Sequence, residues 1–343
     1  MSNTQISSHE AVYCPICTAS GVTVYIDTTD RLFGVPGTWN LSACSNEICG
    51  TYWVNPAPDL NELHRLYDTY STHGTPPQII TESDTLLSKI RQAVLYRELN
   101  YHSSQSSTQN FLYNILSYIH PAWRDTQLAN TFYVPAKANG QLLDIGCGNG
   151  SSMLTMQAKG WNVTGIDFDE VAVTQAKNNN LNASVSDLFS AHYEDNYFDV
   201  IMMNHVIEHV PNPKEFIKEC LRILKPDGTL VALTPNITSK GHREFKANWR
   251  GLEIPRHLQI FSPSSLAILA TQAGFQNVEA FTSTQGILQI YDESKACAKT
   301  GTFMPLYSSN KNSYLYHLRW FIAGWRHIFS PHLSEVAVLR CTK

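Results

Sequence analysis

The sequence predicts an α/β fold: a seven-stranded, mostly parallel sheet flanked by helices, preceded by a small cysteine-bearing module and a helical cap. Three observations predict it. From Gln141 onward short apolar runs alternate with helix-compatible segments, a rhythm that requires parallel strands joined by right-handed crossovers. The first of these runs, LLDIGCGNG over Leu142 to Gly150, breaks into glycines at alternate positions. Well ahead of it, Cys14, Cys17, Cys44 and Cys49 form two close pairs. At 343 residues the chain is too long for one such sheet domain, so more than one unit is expected. The expected boundaries are 1–58 for the module, 59–135 for a helical cap and linker, and 136–343 for the sheet domain, with an aromatic insertion at about 285–333.

In the module, Cys14-Pro-Ile-Cys17 and Cys44-Ser-Asn-Glu-Ile-Cys49-Gly can bring four thiolates to the corners of a tetrahedron, a structural zinc arrangement. A closed four-sulfur site holds shape and does not catalyse. The alternative is a knuckle of free buried thiols, which would be unstable with so few large apolar residues between the pairs. Cys147, Cys220, Cys297 and Cys341 are scattered, as suits a reducing compartment. The segment after the knuckle reads as a closing strand and loop, then a short helix around Asp59 to Tyr67. Between Thr81 and Leu99 apolar residues at Leu86, Leu87, Ile90, Val94 and Leu95 keep helical spacing. A polar loop follows, and a second helix, Phe111 to Ile119, is expected to stop before Pro121.

The sheet strands are expected at Gln141 to Ile145, Asn162 to Asp167, Ala183 to Ser186, Phe198 to Asn204, Gly228 to Thr234, Asn277 to Thr282 and Glu335 to Cys341. Pro226-Asp227-Gly228 is the turn into the fifth. Ligands belong at the carboxyl edge of such a sheet. There Gly146, Gly148 and Gly150 supply positive φ and bare backbone, and the helix start offers unpaired N–H groups. Asp144 lies inside the glycine motif, Asp167 ends the second strand and Asp187 follows the third. The spacing is G-x-G-x-G, not the dinucleotide G-x-G-x-x-G. S-adenosylmethionine lacks a pyrophosphate but carries an ammonium, a ribose and an adenine amine, each wanting an acceptor. Three acids at successive strand ends meet that demand.

From about Gly140 to Gly274, the motifs LLDIGCGNG, GIDFD, SDL, FDVIMMNHVIEHV and LRILKPDGTLVALTPN, in this order, resemble the class I S-adenosylmethionine-dependent methyltransferases and their Rossmann-like fold. The resemblance implies Asp144 and Gly146 near the methionine moiety, Asp167 on the ribose, Phe168 beside the adenine and Asp187 on its amine. Gly148 in the same cradle and Asn204 at the end of the fourth strand join the cofactor set. Related methyltransferases with an N-terminal knuckle usually carry C-x2-C-G as the second pair; here it is C-x4-C-G. In the resembling proteins residues matching Tyr67, Tyr70 and His73 recur, either approaching the cofactor pocket from above or packing a loop on the sheet domain.

The fourth strand empties into Asn204-His205-Val206-Ile207-Glu208-His209, where a helical turn would put His205, Glu208 and His209 on one face. A later loop carries Trp249 and Ile254-Pro255-Arg256-His257. Three readings stand: His205 or His257 is a general base; His205, Glu208, His209 and His257 hold a divalent metal that lowers the pKa of an acceptor hydroxyl; or Glu208 and His209 merely pin the strand end. The metal reading resembles the E-x-x-E-H motif of ubiquinone-pathway and small-RNA 2'-O-methyltransferases, with His205 where glutamate is usual.

The insertion is rich in aromatics, Tyr314, Tyr316, Trp320, Phe321, Trp325 and Phe329, on a helix apolar on nearly every side. It would line an acceptor pocket, make a dimer face, lie on a membrane surface, or bury against the sheet. A net charge of −4 without a basic stripe speaks against nucleic acid. No basic leader or long apolar run appears, which places the protein in the cytoplasm with no transmembrane segment. The expected activity is methyl transfer to a hydroxyl, or less readily to nitrogen or carbon, of a small molecule or glycan. A nucleic-acid methyltransferase and a non-catalytic cofactor-binding partner protein are the alternatives.

Overall fold

The computed structural model describes residues 6–67, 85–303 and 314–343. Tyr70 and His73 lie outside them. In the N-terminal part, β1 (Ser8–His9) pairs with β5 (Ala57–Pro58), while β2 (Gly21–Thr28), β3 (Trp39–Cys44) and β4 (Tyr52–Val54) form an antiparallel sheet. Trp39, Leu41 and Val54 on this sheet are buried in one cluster with Trp249, Leu252 and Ile254 of the sheet domain. Apolar surface from both parts therefore leaves water at a shared boundary.

A 3-10 turn, Leu60–Tyr67, leads to the cap helices α1 (Leu86–Leu99), α2 (Ser107–Ser117) and α3 (Pro121–Ala129). Ser106 and Gln109 form a reciprocal capping box at the start of α2. Pro121 does not merely follow a helix, as the sequence reading has it; it opens α3 at the first turn, with His120 accepting from the Trp123 N–H. A proline there has no intrahelical N–H bond to lose.

The sheet domain runs β6 (Gln141–Ile145), α4 (Ser151–Gln157), β7 (Asn162–Asp167), α5 (Glu170–Asn178), β8 (Asn182–Val185), β9 (Phe198–Asn204), α6 (Pro213–Ile223), β10 (Leu224–Pro235) and α7 (Lys240–Phe245). It continues with β11 (Gln259–Ile260), α8 (Pro263–Ala273), β12 (Gln276–Ser283), α9 (Ile287–Thr300), α10 (Tyr314–Phe329) and β13 (Val336–Thr342). The seven-stranded order is β12-β13-β10-β9-β6-β7-β8. All pairs are parallel except those made by β13, which runs antiparallel to both neighbours. β9 is central and covered on both faces, so Phe198 to Met203 are buried without alternation. On one side Leu143, Ile201 and Met203 pack with Ile217 of α6 and Leu269 of α8; on the other Leu142, Val200 and Met202 pack with Met156 and Trp161.

Chain order reverses between β6 and β9, which opens a crevice at their carboxyl ends. β11 does not join this sheet. It pairs antiparallel with β4, completing the N-terminal sheet as its fourth strand. Among the described residues the insertion carries the helices α9 and α10, where the aromatic pattern suggested one, and the buried residue of α10 is Gly324.

Candidate active site

The glycine loop after β6 and the ends of β7 and β9 converge at the crevice. Gly146 has φ +72°, and a Cβ there would meet Val206 Cγ2 at 2.4 Å. Gly148, at φ +52°, faces open space. Asp144, next to last in β6, is buried. Its Oδ2 and the Asn204 Oδ1 are buried acceptors with no hydrogen-bond partner among the described residues. Burial, and then the neighbouring charge of Asp167, pushes the Asp144 carboxyl well above the usual carboxylate range. Asp167 accepts from the Gly148 N–H at 2.8 Å and the Asp169 N–H at 2.9 Å, and burial raises its carboxyl as well. Two converging acids and an orphaned amide oxygen fit a ligand that brings an ammonium and hydroxyl donors.

Phe168 is exposed beside Asp167, its ring 5.1 Å from that of Tyr67. Asp187, after β8, accepts from the N–H groups of Phe189 (2.8 Å) and Ser190 (3.0 Å) and from the Ser190 hydroxyl. Desolvation opposes its charge, yet these bonds keep its carboxyl below the usual range.

Beyond β9, His205 takes φ +55° and its Nδ1 lies 3.0 Å from Glu208 Oε1. The following Ile207–His209 is a 3-10 turn, so the shared helical face expected for His205, Glu208 and His209 does not form. His205 is turned outward, its side chain 40% exposed, while Glu208 is fully buried. The Thr234 hydroxyl donates to Glu208 Oε2 at 2.9 Å. Burial opposes the Glu208 charge, but the His205 hydrogen bond and the nearby imidazoles hold its carboxyl down at about 2.

His209 and His257 lie ring to ring, with centroids 4.7 Å apart. His257 Nδ1 donates to the Gly251 carbonyl at 2.8 Å. Its bare Nε2 then faces Glu208 Oε1 at 3.9 Å and Glu253 Oε2 at 3.8 Å. Burial lowers the His257 imidazole to about 4 against the pull of Glu253, so near neutral pH no proton lies between nitrogen and carboxylates. His209 Nδ1 is 3.0 Å from the Arg256 carbonyl and 3.1 Å from the Tyr67 hydroxyl. Ligand atoms of Glu208, His209 and His257 all lie within 4.8 Å of one another, a donor set suited to a divalent cation, with carbonyls fixing the imidazoles from behind. His205 stands outside that trio.

Residues 117–280 match the methyltransferase domain family. This stretch is a class I S-adenosylmethionine-dependent methyltransferase domain. The chain is similar to the ubiquinone biosynthesis O-methyltransferase of Glaesserella parasuis, 38% identical over 125 residues, 32% of this chain and 53% of that protein. It is also similar to the enzyme of the same name from Rickettsia akari, 30% identical over 170 residues, covering 45% of this chain and 64% of that one. The chain thus spans about half to two thirds of the length of these relatives. A SAM-dependent methyltransferase structure from Archaeoglobus fulgidus aligns at 20% identity and a TM-score of 0.45, over 68% of this chain and 99% of that chain.

Behind this crevice, the N-terminal part holds the 253–257 loop. Arg256 is fully buried and reaches Asp30 through two bonds, 2.7 and 3.0 Å. Glu253 Oε1 lies 3.1 Å from its Nε, and the ring of Phe33 lies beneath the guanidinium, 4.5 Å from centroid to carbon. Arg250 in turn joins Glu253 and Glu293. Sequence reading missed Asp30, Thr234 and Glu253. Asp30 and Arg256 are a charge pair with no shared local motif, and Glu253 is marked only by its spacing of four from His257.

In the knuckle, ligand atoms of Cys14, Cys17, Cys44 and Cys49 lie within 4.8 Å of one another, and none of the four is in a disulfide. Cys14 and Cys49 sulfurs are 3.8 Å apart and Cys17 and Cys44 sulfurs 3.3 Å. A tetrahedron with Zn–S bonds of about 2.3 Å has edges of about 3.8 Å; the Cys14–Cys49 separation matches such an edge and the Cys17–Cys44 separation is shorter. The extra residues of the second pair are taken up by a turn in which the Cys49 and Gly50 N–H groups both bond the Asn46 carbonyl.

Proposed function

We propose that the chain transfers the methyl group of S-adenosylmethionine to a hydroxyl oxygen of a small molecule. The observation that carries this is the His205–Glu208 pair at the end of β9, a reachable imidazole tied at 3.0 Å to a buried, ionised carboxylate. Methyl transfer is an in-line displacement, and a hydroxyl acceptor must lose its proton as it attacks. When bound, the cofactor supplies the electrophilic methyl. Asp144 and Asn204 bind its amino-acid part, and Asp167 its ribose. Phe168 and Asp187 accept the adenine, and the bare backbone at Gly146 and Gly148 leaves room for the cofactor beside Asp144. Tyr67 closes over Phe168 and His209 from the cap side. Glu208 orients His205 through Nδ1, which leaves Nε2 to take the acceptor's proton. Relatives named for O-methylation in ubiquinone biosynthesis support an oxygen acceptor. The knuckle cysteines hold a structural zinc ion that fixes the shape of the N-terminal part.

A second reading is favoured by the Nδ1 contacts of His209 and His257 with backbone carbonyls, which leave Nε2 on each for a cation shared with Glu208. Such a cation would lower the pKa of the acceptor hydroxyl.

The test is turnover of S-adenosylmethionine with a panel of catechols, phenols and sugar alcohols, with and without a chelator. Glu208→Gln should lower kcat by about a hundredfold or more while calorimetry shows unchanged cofactor affinity. Activity that survives the chelator and falls in His205→Gln supports the base. Activity abolished by the chelator and restored by magnesium or manganese moves the chemistry to the cation. Absence of cofactor binding overturns both. A native mass spectrum should count one tightly held zinc, lost in Cys49→Ser.

A further inference from the structure

Arg256 ties two distant parts of the chain to one imidazole. Its guanidinium is gripped by Asp30, 226 residues away, with Nη1 donating to Oδ2 at 2.7 Å and Nη2 to Oδ1 at 3.0 Å. Nη1 also lies 3.5 Å from the carbonyl of Leu66, the residue before Tyr67. At the backbone end of the same residue, the Arg256 carbonyl lies 3.0 Å from His209 Nδ1, and the Tyr67 hydroxyl lies 3.1 Å from that nitrogen. Both of these neighbours of Nδ1 therefore belong to segments that the guanidinium holds. A carbonyl can only accept, so Nδ1 carries a hydrogen, and in the neutral imidazole Nε2 keeps the lone pair.

Asp30 is itself fixed from within its own loop. Its Oδ1 accepts from the N–H groups of Leu32 (2.9 Å) and Phe33 (3.1 Å), and its Oδ2 from that of Val35 (3.0 Å). The Phe33 ring beneath the guanidinium sets the plane in which Arg256 can lie. A buried ion pair is often no more stabilising than apolar residues of the same volume, so its presence is better explained by the geometry it imposes. Here that geometry ends at a carbonyl beside His209. We propose that Asp30 is a positioning residue of the methyl-transfer site, which through Arg256 keeps His209 in the Nδ1–H tautomer with Nε2 bare. The turn that carries His209 is secured separately: the Leu258 N–H donates to the Glu208 carbonyl at 2.8 Å, and Gln259 Nε2 to the Ile207 and Val210 carbonyls at 2.9 and 2.8 Å. Losing Asp30 therefore frees the imidazole without releasing the turn. The inference rests on the function proposed above, but its failure shows in the imidazole of the unliganded chain, whereas failure of that function shows as no binding of S-adenosylmethionine.

The experiment is nitrogen NMR of the imidazoles in the full, unliganded chain at one pH, with His209 and His242 assigned by the signals lost in His209→Gln and His242→Gln. In the parent, His209 should show a protonated Nδ1 and a bare Nε2. Asp30→Asn keeps the side-chain volume and removes the charge, so its two His209 signals should move toward each other as the Nε2–H tautomer becomes populated. Arg256→Lys keeps the charge and loses the two-pronged grip; it should do the same, and serves if Asp30→Asn does not fold. His242, at the same boundary through Tyr25, reports general loosening and should not move. With the catechol, phenol or sugar alcohol that the parent methylates, kcat should fall about tenfold or more at unchanged affinity for S-adenosylmethionine. A parent whose His209 carries its proton on Nε2 overturns the proposal. So do folded variants with parental His209 signals or parental kcat, and variants in which His209 and His242 move together.

Discussion

Asp144 and Arg256 are both buried ionisable side chains, 2% and 0% exposed, yet their surroundings are completed in opposite ways. Arg256 has Asp30 and Glu253 on its guanidinium and Phe33 against it. Asp144 has one oxygen without a partner among the described residues and a second acid close by. Buried charge costs several kcal/mol unless it is paired and hydrogen-bonded. The Arg256 cluster meets that cost within the chain and is therefore a brace. The Asp144 cluster does not meet it among the described residues, which is the property the proposed cofactor site draws on. Burial alone says little about function; the unfilled hydrogen bond does.

The largest effect should come from breaking the brace. Arg256→Met leaves Asp30 buried without its cation and Glu253 with Arg250 alone, and should cost about 3–5 kcal/mol of stability, read from urea unfolding. Adding Asp30→Asn should recover part of that, since two removals of one pair do not add. A loss below about 1 kcal/mol would mean the brace holds little.

Asp144→Asn should behave in the reverse sense. The unliganded protein should be as stable as the parent or more so, because a buried acid without a counter-ion has been removed. Affinity for S-adenosylmethionine should fall at least about tenfold, or about 1.4 kcal/mol, by calorimetry. A destabilised apo protein would erase the distinction between brace and site.

The smallest effect sharpens the comparison with a third kind of buried group, one kept neutral. His242 Nδ1 donates to the Ile237 carbonyl at 2.6 Å, and the Tyr25 hydroxyl lies 2.9 Å from Nε2. Burial lowers this imidazole from 6.5 to about 4. Its stability contribution is thus fully present above pH 6.5 and is lost as pH falls toward 4, because the unfolded chain takes up a proton that the native chain refuses. Unfolding free energy should drop by about 1 kcal/mol per pH unit within that window from this group. His242→Gln should flatten that slope, and an unchanged slope would assign the pH dependence to other groups.

The site and the brace also differ in how far the sequence reveals them. Asp144, Gly146, Gly148 and Asp167 sit in two short contiguous motifs because a strand end and the turn after it are adjacent in the chain as well as in space. The strands were legible for the same reason, through local apolar runs, within a few residues at each end. Nothing local marks Asp30 as the partner of Arg256, since only the tertiary fold brings them together. His205 was legible as a polar residue at a strand end, but its left-handed φ and the 3-10 turn after it were not, so its separation from His209 went unseen. The helix from Phe111 to Ile119 was legible from its apolar pattern, but not that Asn110 and Asn114 are its buried side chains.

The pairing of β11 with β4 sets a schedule for how the protein is made. During synthesis the N-terminal strands emerge early, but Trp53 must wait for Gln259 before its edge is closed. Until then the early sheet shows an open edge to water or to a neighbouring nascent chain. Closing so long a loop comes late and slowly. The knuckle, whose cysteines all lie within the first 49 residues, can form before that moment and hold the early strands in place. If the knuckle holds the proposed zinc, a metal-poor cell should show the damage first in newly made chains, as aggregation during synthesis, and only later in protein already folded.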